Sequence, residues 1–248
     1  MKTFFDLLTK PIVYFLFLNL ALSSCTFYDD DDIDFCLDGK GAVEKEHRSM
    51  RDFTGIELKI QGAVYVQQGN TTKLEVEARE NLLSHIETRV SGNTLIIDNN
   101  RCFESGQDIK IYVTVPDLRK VMVSSSGKIK NMGTLKAEDL NLIVSGSGDL
   151  ELNVDASDIQ SKVSGSGSIL LNGEAETHEI RIAGSGKVEA FGLLTAETEA
   201  SITGSGKASV LVDDKLKVSI SGSGQVRYKG NPQIQQQISG SGRVVNVD

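Results

Sequence analysis

The sequence lacks the features of several protein classes. It has no Trp, only three Pro and three Cys, and its 26 basic residues are outnumbered by 34 acidic ones, which gives a formal net charge of −8. A nucleic-acid-binding protein needs a basic face, so we expect no nucleic-acid partner. Histidine and cysteine, the usual ligands of zinc, are also scarce. The three histidines, His47, His85 and His178, lie at no metal-binding spacing, so we expect each to be solvated and predict neither a metal nor a cofactor.

The first 25 residues are typical of an export signal. Lys2 and Lys10 precede an apolar run over residues 11–22, which is short for a membrane span. We therefore interpret residues 1–24 as a signal peptide. The segment ends in Leu22-Ser23-Ser24-Cys25, which resembles the lipobox of bacterial lipoproteins. That resemblance implies lipidation of Cys25 and a membrane partner reached through the lipid anchor. An ordinary secretory signal that happens to contain a Cys is the alternative.

Residues 25–48 are predicted to form an acidic tether. The run Asp29-Asp30-Asp31-Asp32 repels itself and favours an extended chain. It also resembles the acidic export signal that sends some Gram-negative lipoproteins to the outer face of the outer membrane. The expected location is therefore the cell surface, with an orientation towards the periplasm left open. Of the remaining cysteines, Cys36 and Cys102 either pair in an oxidising exterior or stay as two free thiols.

A repeat with a period near 19 residues organises the rest of the chain. Seven Ser-Gly-rich segments end in glycines spaced by 21, 19, 19, 20, 18 and 18 residues. The positions four before and two after each final Gly are always apolar, and the positions between them are mostly polar. Such alternation with period two predicts a half-buried strand on either side of each corner. The final glycines are Gly127, Gly148, Gly167, Gly186, Gly206, Gly224 and Gly242.

These repeats predict an all-β fold, a single-stranded, parallel and right-handed β-solenoid. One repeat cannot close a core, but coils stacked about 4.8 Å apart can. We expect the Ser before each final Gly to hydrogen-bond along the stack. The solenoid spans residues 49–248, with regular repeats over 118–248 and irregular N-terminal coils over 49–117. Within the irregular part we expect about three looser coils, a helical turn near residues 80–86 and a protruding loop at 99–107.

The order of several short motifs resembles the putative auto-transporter adhesin head GIN domain family. These motifs are Phe53-Thr54-Gly55-Ile56, Gly62 to Gly69, Leu95-Ile96-Ile97 and Val113 to Leu118, followed by the Ser-Gly-Ser-Gly series. The resemblance covers roughly residues 50–245. It implies a β-helix on a secreted or lipid-anchored protein of Gram-negative bacteria, and it offers no catalytic or ligand residues to carry over.

The binding surface is predicted from one column of the repeat. Lys187, Lys207 and Arg243 directly follow their corners and form a candidate cationic strip on the solenoid face. We therefore predict a non-catalytic adhesin that binds a glycan or an extracellular protein. Pairing of copies through an open solenoid edge near residues 244–247, as in a structural or assembly protein, is the alternative.

A polysaccharide-acting enzyme is the weaker rival. It would need carboxylates that converge between the corners on one face. Acidic side chains on a solenoid are more often a solubilising surface, so we predict no catalytic site. The residues concerned are Asp155, Asp158, Glu174 and Glu176.

Overall fold

The computed structural model describes residues 36–248. The predicted signal peptide, the lipidation site Cys25 and most of the predicted tether lie outside the described residues. One helix, α1 (Glu80–Leu83), interrupts seventeen strands, and no helix in this part of the chain is long and apolar enough to cross a membrane. The strands are β1 (Val43–His47), β2 (Gly55–Leu58), β3 (Ala63–Gln68), β4 (Lys73–Arg79), β5 (Ile86–Ser91), β6 (Thr94–Asn99), β7 (Lys110–Val115), β8 (Lys120–Val123), β9 (Lys128–Met132), β10 (Leu135–Gly146), β11 (Asp149–Gly165), β12 (Ser168–Gly184), β13 (Lys187–Gly204), β14 (Lys207–Gly222), β15 (Gln225–Lys229), β16 (Gln233–Gly240) and β17 (Arg243–Asn246).

The regular part of the chain forms the predicted parallel β-solenoid. Strands β10 to β14 each run to the first glycine of a corner, and each pairs in parallel with the strand one repeat later. Equivalent residues therefore stack, as in the column Val144, Val163, Ile182, Ile202 and Ile220. Every member of this column is at most 2% exposed. The apolar positions of the repeat thus become continuous ladders inside the coil, which is how a short repeat obtains a core.

The two glycines of a corner meet different requirements. The first has a positive φ, for example 124° at Gly165 and 115° at Gly184, which side chains rarely tolerate. The last has no room for a side chain. A Cβ added at Gly167 would collide with the carbonyl oxygen of Gly148 and with the Val144 side chain in the preceding coil. The repeated Ser-Gly-Ser-Gly therefore follows from both backbone conformation and close stacking.

The predicted ladder of corner serine hydroxyls is wrong. Backbone groups make the bonds instead: the Ser166 N–H donates to the Gly146 carbonyl at 3.0 Å, and the Ser185 N–H donates to the Gly165 carbonyl at 3.0 Å. The Ser166 and Ser185 side chains are exposed. The backbone of the corner therefore already makes the hydrogen bonds between coils.

The N-terminal coils are interleaved rather than stacked in chain order. Strand β2 pairs in parallel with β6 on one side and with β8 on the other, and β3 lies likewise between β7 and β9. The coil formed first along the chain is therefore second in space. We expected about three looser coils that begin the stack, and the structure has two coils there, covered by strands that run antiparallel.

Antiparallel strands close the N-terminal end. Strand β4 pairs antiparallel with β7, β1 pairs antiparallel with β4, and β5 pairs antiparallel with β6. Strand β1 lies inside the segment predicted as a tether, so the folded body begins before the predicted boundary at residue 49. A disulfide joins Cys36 to Cys102 in the loop after β6, with their Cα atoms 4.7 Å apart.

Candidate functional site

The predicted cationic strip is one column of the solenoid face. Lys187 pairs in register with Lys207, Lys207 with Gln225, and Gln225 with Arg243. The four residues lie in successive coils, so Lys187 and Arg243 are three steps of about 4.8 Å apart along the axis. Lys187, Lys207 and Arg243 are exposed, and Gln225 between them adds a neutral hydrogen-bonding group.

A second group of cations lies on the same face and was missed by the sequence analysis. Arg227 and Lys229 follow Gln225 at alternate positions of β15, so their side chains share its face. The Phe191 ring lies 5.3 Å from the Arg227 guanidinium carbon and 5.2 Å from Lys229 Nζ, as cation–π contacts require. We call Lys187, Lys207, Arg227, Lys229 and Arg243, together with Phe191, the cationic face.

A bulge positions Phe191. The repeat that contains it is 20 residues long, and the register between β13 and β14 shifts between Ala190 and Leu194. Bulges re-aim the side chains they contain, and here the ring reaches β15, two coils onward. Ser209, which lies on the intervening strand, is only 8% exposed. The extra residue in this repeat is the feature of the sequence that could have indicated a bulge at Phe191.

Four of the five cations of the cationic face have no acidic partner among the described residues. Lys187 has Glu189 at 3.5 Å. Within residues 36–248, Lys207, Arg227, Lys229 and Arg243 form no salt bridge. Four uncompensated cations on one face of a chain with a net charge of −8 produce a local positive potential that attracts anions.

The N-terminal part of the same face is internally neutralised. Lys45 binds Glu75 at 2.8 Å and Glu77 at 3.2 Å, and Lys110 binds Glu77 at 3.3 Å. Burial tends to raise the pKa of Glu77, but the hydrogen bonds from Lys45 and Lys110 outweigh it and hold that pKa below its usual range. These ion pairs link β1 to β4 and β4 to β7, so their charges stabilise the fold and are not available to bind a ligand.

Two stacked tyrosines complete this N-terminal network. The rings of Tyr65 and Tyr112 are 5.4 Å apart, and Lys45 Nζ lies 4.8 Å from the centre of the Tyr112 ring. Neighbouring coils thus pair aromatic residues across a parallel ladder. Because Lys45, the cation above Tyr112, already binds two carboxylates, this cluster has no free positive charge to bind an anion.

The four carboxylates considered for catalysis lie in different surroundings. Asp155 lies beside Glu174 in the register, but Asp155 also faces Lys136 at 3.6 Å. Asp158 instead neighbours Thr177, whose hydroxyl donates to it. Glu174 and Glu176 are exposed. No group of three or more potential metal ligands occurs among the described residues.

A groove on another face is also lined by paired charges. Glu197 faces Lys215 at 3.4 Å and Glu199 faces Lys217 at 2.8 Å. Each of these two carboxylates is matched by a Lys from the next coil, and Glu179 is matched by Arg181 beside the groove, so all three carboxylates are neutralised by neighbouring cations. It is lined by Thr177, His178, Glu179, Glu197, Thr198, Glu199, Lys215 and Lys217.

The expectation that all three histidines are solvated is wrong for His178. Its ring is 1% exposed and lies in the interior column beside Ile159 and Thr198. Nε2 is 2.9 Å from the Ser161 hydroxyl, whereas Nδ1 has no hydrogen-bond partner. Burial lowers the pKa of His178 to about 3, so the ring is neutral at pH 7.

The family of the chain follows from comparison with known proteins. The profile described as putative auto-transporter adhesin, head GIN domain, matches residues 52–232. The chain belongs to this family. The match covers both the interleaved coils and nearly all of the regular ones. No curated protein shows significant similarity to the chain.

Solved structures share the fold of this family member. A putative adhesin from Bacteroides fragilis superposes with a TM-score of 0.79 at 21% identity, covering 85% of this chain and all of the other. A putative adhesin from Parabacteroides distasonis gives 0.67 at 28% identity, covering 86% and 100%. A putative lipid binding protein from the same species gives 0.73 at 24% identity, with the same coverage. These names describe adhesion or binding, and none describes an enzyme.

Proposed function

We propose that the chain is a non-catalytic, lipid-anchored adhesin on the cell surface, and that its cationic face binds an anionic glycan. The family and two of the similar structures are named for adhesion, which supports the general role. The observation that carries the ligand class is the set of four cations without acidic partners, because a carboxylated or sulfated polymer would supply the missing charges. The lipobox-like Leu22-Ser23-Ser24-Cys25 supports the anchor.

The shape of the cationic face suits an extended polymer. The solenoid places Lys187, Lys207 and Arg243 at regular steps along its axis. Arg227 and Lys229 broaden the positive area, and the Phe191 ring adds an apolar surface between them. Exposed ion pairs contribute about 0.2–1 kcal/mol each, so we expect several modest contacts that act together and weaken with salt.

Binding of labelled heparin to intact cells tests this proposal. We expect cells that produce the protein to bind heparin but not neutral dextran, with at least a tenfold weaker affinity for the double variant Lys207→Glu with Arg243→Glu. The matched control is Lys162→Glu with Arg89→Glu, since both residues are exposed cations without a salt bridge in the described part of the chain. The control has the same net charge as the test variant.

A further arm of this experiment tests the anchor. Replacement Cys25→Ala should release the protein from the cells, so that heparin binding and antibody staining of intact cells fall together. Equal losses in both charge variants would overturn the cationic face as the site. Surface staining that is independent of Cys25, or that appears only after the envelope is broken, would overturn the surface anchor.

A further inference from the structure

The last coil exposes residues whose counterparts in the preceding coil are buried. Ile234 and Ile238 of β16 pair in register with Leu216 and Ile220 of β14. Leu216 and Ile220 are at most 1% exposed, whereas Ile234 is 40% and Ile238 is 38% exposed. All eight residues of β16 are exposed, although three of them occupy interior positions of the repeat. Within the described chain, β16 is therefore a sheet edge with an apolar inner side.

The sequence of this edge is symmetric about one residue. Ile234-Gln235-Gln236-Gln237-Ile238 has the same order in both directions. Gln236 pairs with Val218, which is buried, so Gln236 and the two isoleucines point to the inner side of the coil. When two such strands pair antiparallel with Gln236 opposite Gln236, Ile234 of each copy lies opposite Ile238 of the other.

We propose that two copies of the chain pair tail to tail through β16, on a two-fold axis that passes beside Gln236. The pairing satisfies edge N–H and C=O groups, covers both isoleucine pairs and places two amide side chains within reach of each other. An interface of this kind is self-complementary and closes at two copies. A second copy fits the edge because its own sequence supplies the matching order.

Charge distinguishes this end of the solenoid from the other. Residues 233–240 of β16 contain no charged side chain, so the two paired strands meet without charge repulsion, while Arg243 lies outside the pair on β17. The two edge strands at the N-terminal end, β1 and β5, are both charged, with Glu44, Lys45, Glu46 and His47 on β1 and Glu87 and Arg89 on β5. Charged side chains on an edge strand oppose pairing. The tail-to-tail arrangement is therefore favoured over head-to-tail stacking, which would also continue without closing.

The orientation has a consequence that rests on the proposed function. A tail-to-tail dimer places the two Cys36 residues, which belong to the capped ends, at opposite ends of the assembly. Copies anchored by their N-terminal segments would then meet from two facing membranes, and a second copy on a neighbouring cell would be a partner of the adhesin in addition to the anionic glycan. The dimer itself does not depend on the anchor, so it can be tested in solution.

The test uses the secreted full-length mature chain carrying Cys25→Ser, studied by sedimentation across a range of concentrations. We expect a monomer–dimer equilibrium, which Gln236→Lys shifts to monomer because it places two like charges face to face. Gln236→Glu should also be monomeric, and mixing the two variants should restore a dimer that contains one copy of each. Restoration by mixing shows that neither variant lost its fold.

Cross-linking tests the geometry. Gln236→Cys should form a disulfide-linked dimer, whereas Glu44→Cys on the opposite edge should remain monomeric. A wild-type chain that is monomeric at every concentration, a mixture that does not restore the dimer, or equal cross-linking at both positions would overturn the proposal. Heparin binding by the monomeric Gln236→Lys variant would show that the cationic face works independently, so failure of one proposal is distinguishable from failure of the other.

Discussion

The regular and the N-terminal parts of the solenoid both stack their coils in parallel, but they stack them in different orders. In the regular part, each coil lies against the next coil in the chain, as β11 lies between β10 and β12. In the N-terminal part, β2 lies between two strands that follow it by tens of residues. Stacking therefore requires equivalent side chains at equivalent heights, and it does not require that neighbouring coils be neighbours in sequence.

The two parts are also held together differently. The regular coils depend on repeated backbone contacts at their glycine corners, since six successive corners place a glycine against the preceding coil. The N-terminal coils share the apolar core, in which Ile56 and Val64 are fully buried, and add individual links: the Cys36–Cys102 disulfide and the ion pairs of Lys45 and Lys110. The regular part therefore repeats one kind of contact in every coil, whereas the cap adds a few contacts of different kinds.

Substitution of a corner glycine should destabilise the regular coils more than any other change considered below. In Gly167→Ala, the new methyl group collides with the Gly148 carbonyl and the Val144 side chain, so the two coils must separate. We expect a loss of about 4 kcal/mol in the free energy of unfolding. Chemical denaturation followed by circular dichroism measures it.

The matched control for this substitution is Gly92→Ala in the turn between β5 and β6. Its φ is +57°, but nothing lies within 4 Å of an added Cβ. We expect a cost of about 1 kcal/mol, the price of a left-handed backbone alone. Gly167 has no positive φ, so a loss no larger than that of Gly92→Ala would show that the close approach of the coils does not require glycine there.

Removal of the disulfide should loosen the cap and leave the regular coils intact. The cross-link joins residues 66 positions apart, and its loss in Cys36→Ala with Cys102→Ala should cost about 3 kcal/mol. The effect should be local, because both cysteines belong to the N-terminal part. Hydrogen exchange should accelerate in β1 and in the loop before β7, and stay unchanged in β12. Equal acceleration in β12 would mean that the two parts unfold as one unit.

Acid should weaken the regular part through His178. Its pKa is lowered to about 3 in the folded chain, so below the ordinary value of 6.5 the unfolded chain takes up a proton that the folded chain refuses. Stability therefore falls as pH drops from about 7 towards 3, with a loss of about 2 kcal/mol by about pH 5. Denaturation midpoints at a series of pH values measure this dependence.

The variant that removes this acid sensitivity is His178→Leu with Ser161→Ala, which deletes the buried pair and leaves no hydroxyl unpartnered. His47→Gln serves as the control, because the His47 side chain is 82% exposed. We expect the double variant to flatten the pH dependence and the control to retain it. An unchanged slope in the double variant would show that carboxylates alone govern acid stability.

The repeat in the sequence was enough to predict the fold of the regular part. It was not enough to predict which individual segments and side chains contact each other. Glycines at near-constant spacing and flanking apolar columns were enough to predict a parallel solenoid and to place Lys187 and Lys207 in one column. The interleaving of β2 escaped prediction because alternation indicates which side of a strand is buried, without naming the neighbour. His178 escaped because a polar residue in an apolar column looks like an exception until the register shows it inside.

Part of the candidate site could likewise be predicted from the sequence, and part of it could not. The strip of Lys187, Lys207 and Arg243 follows from counting residues after each corner, whereas Phe191, Arg227 and Lys229 meet only because a bulge re-aims an aromatic ring across two coils. The sequence also shows the symmetry of Ile234 to Ile238, but it does not show that these residues lie at an edge.

By itself, the sequence determined the strand period, the corners and the interior columns, since these depend on local conformation and on repeated spacing. The tertiary structure alone decided the order of the N-terminal coils, the antiparallel cap, the burial of His178 and the exposure of β16. Each of these depends on which segment lies alongside which, and that choice is made by the packing of distant segments, about which local preferences carry no information.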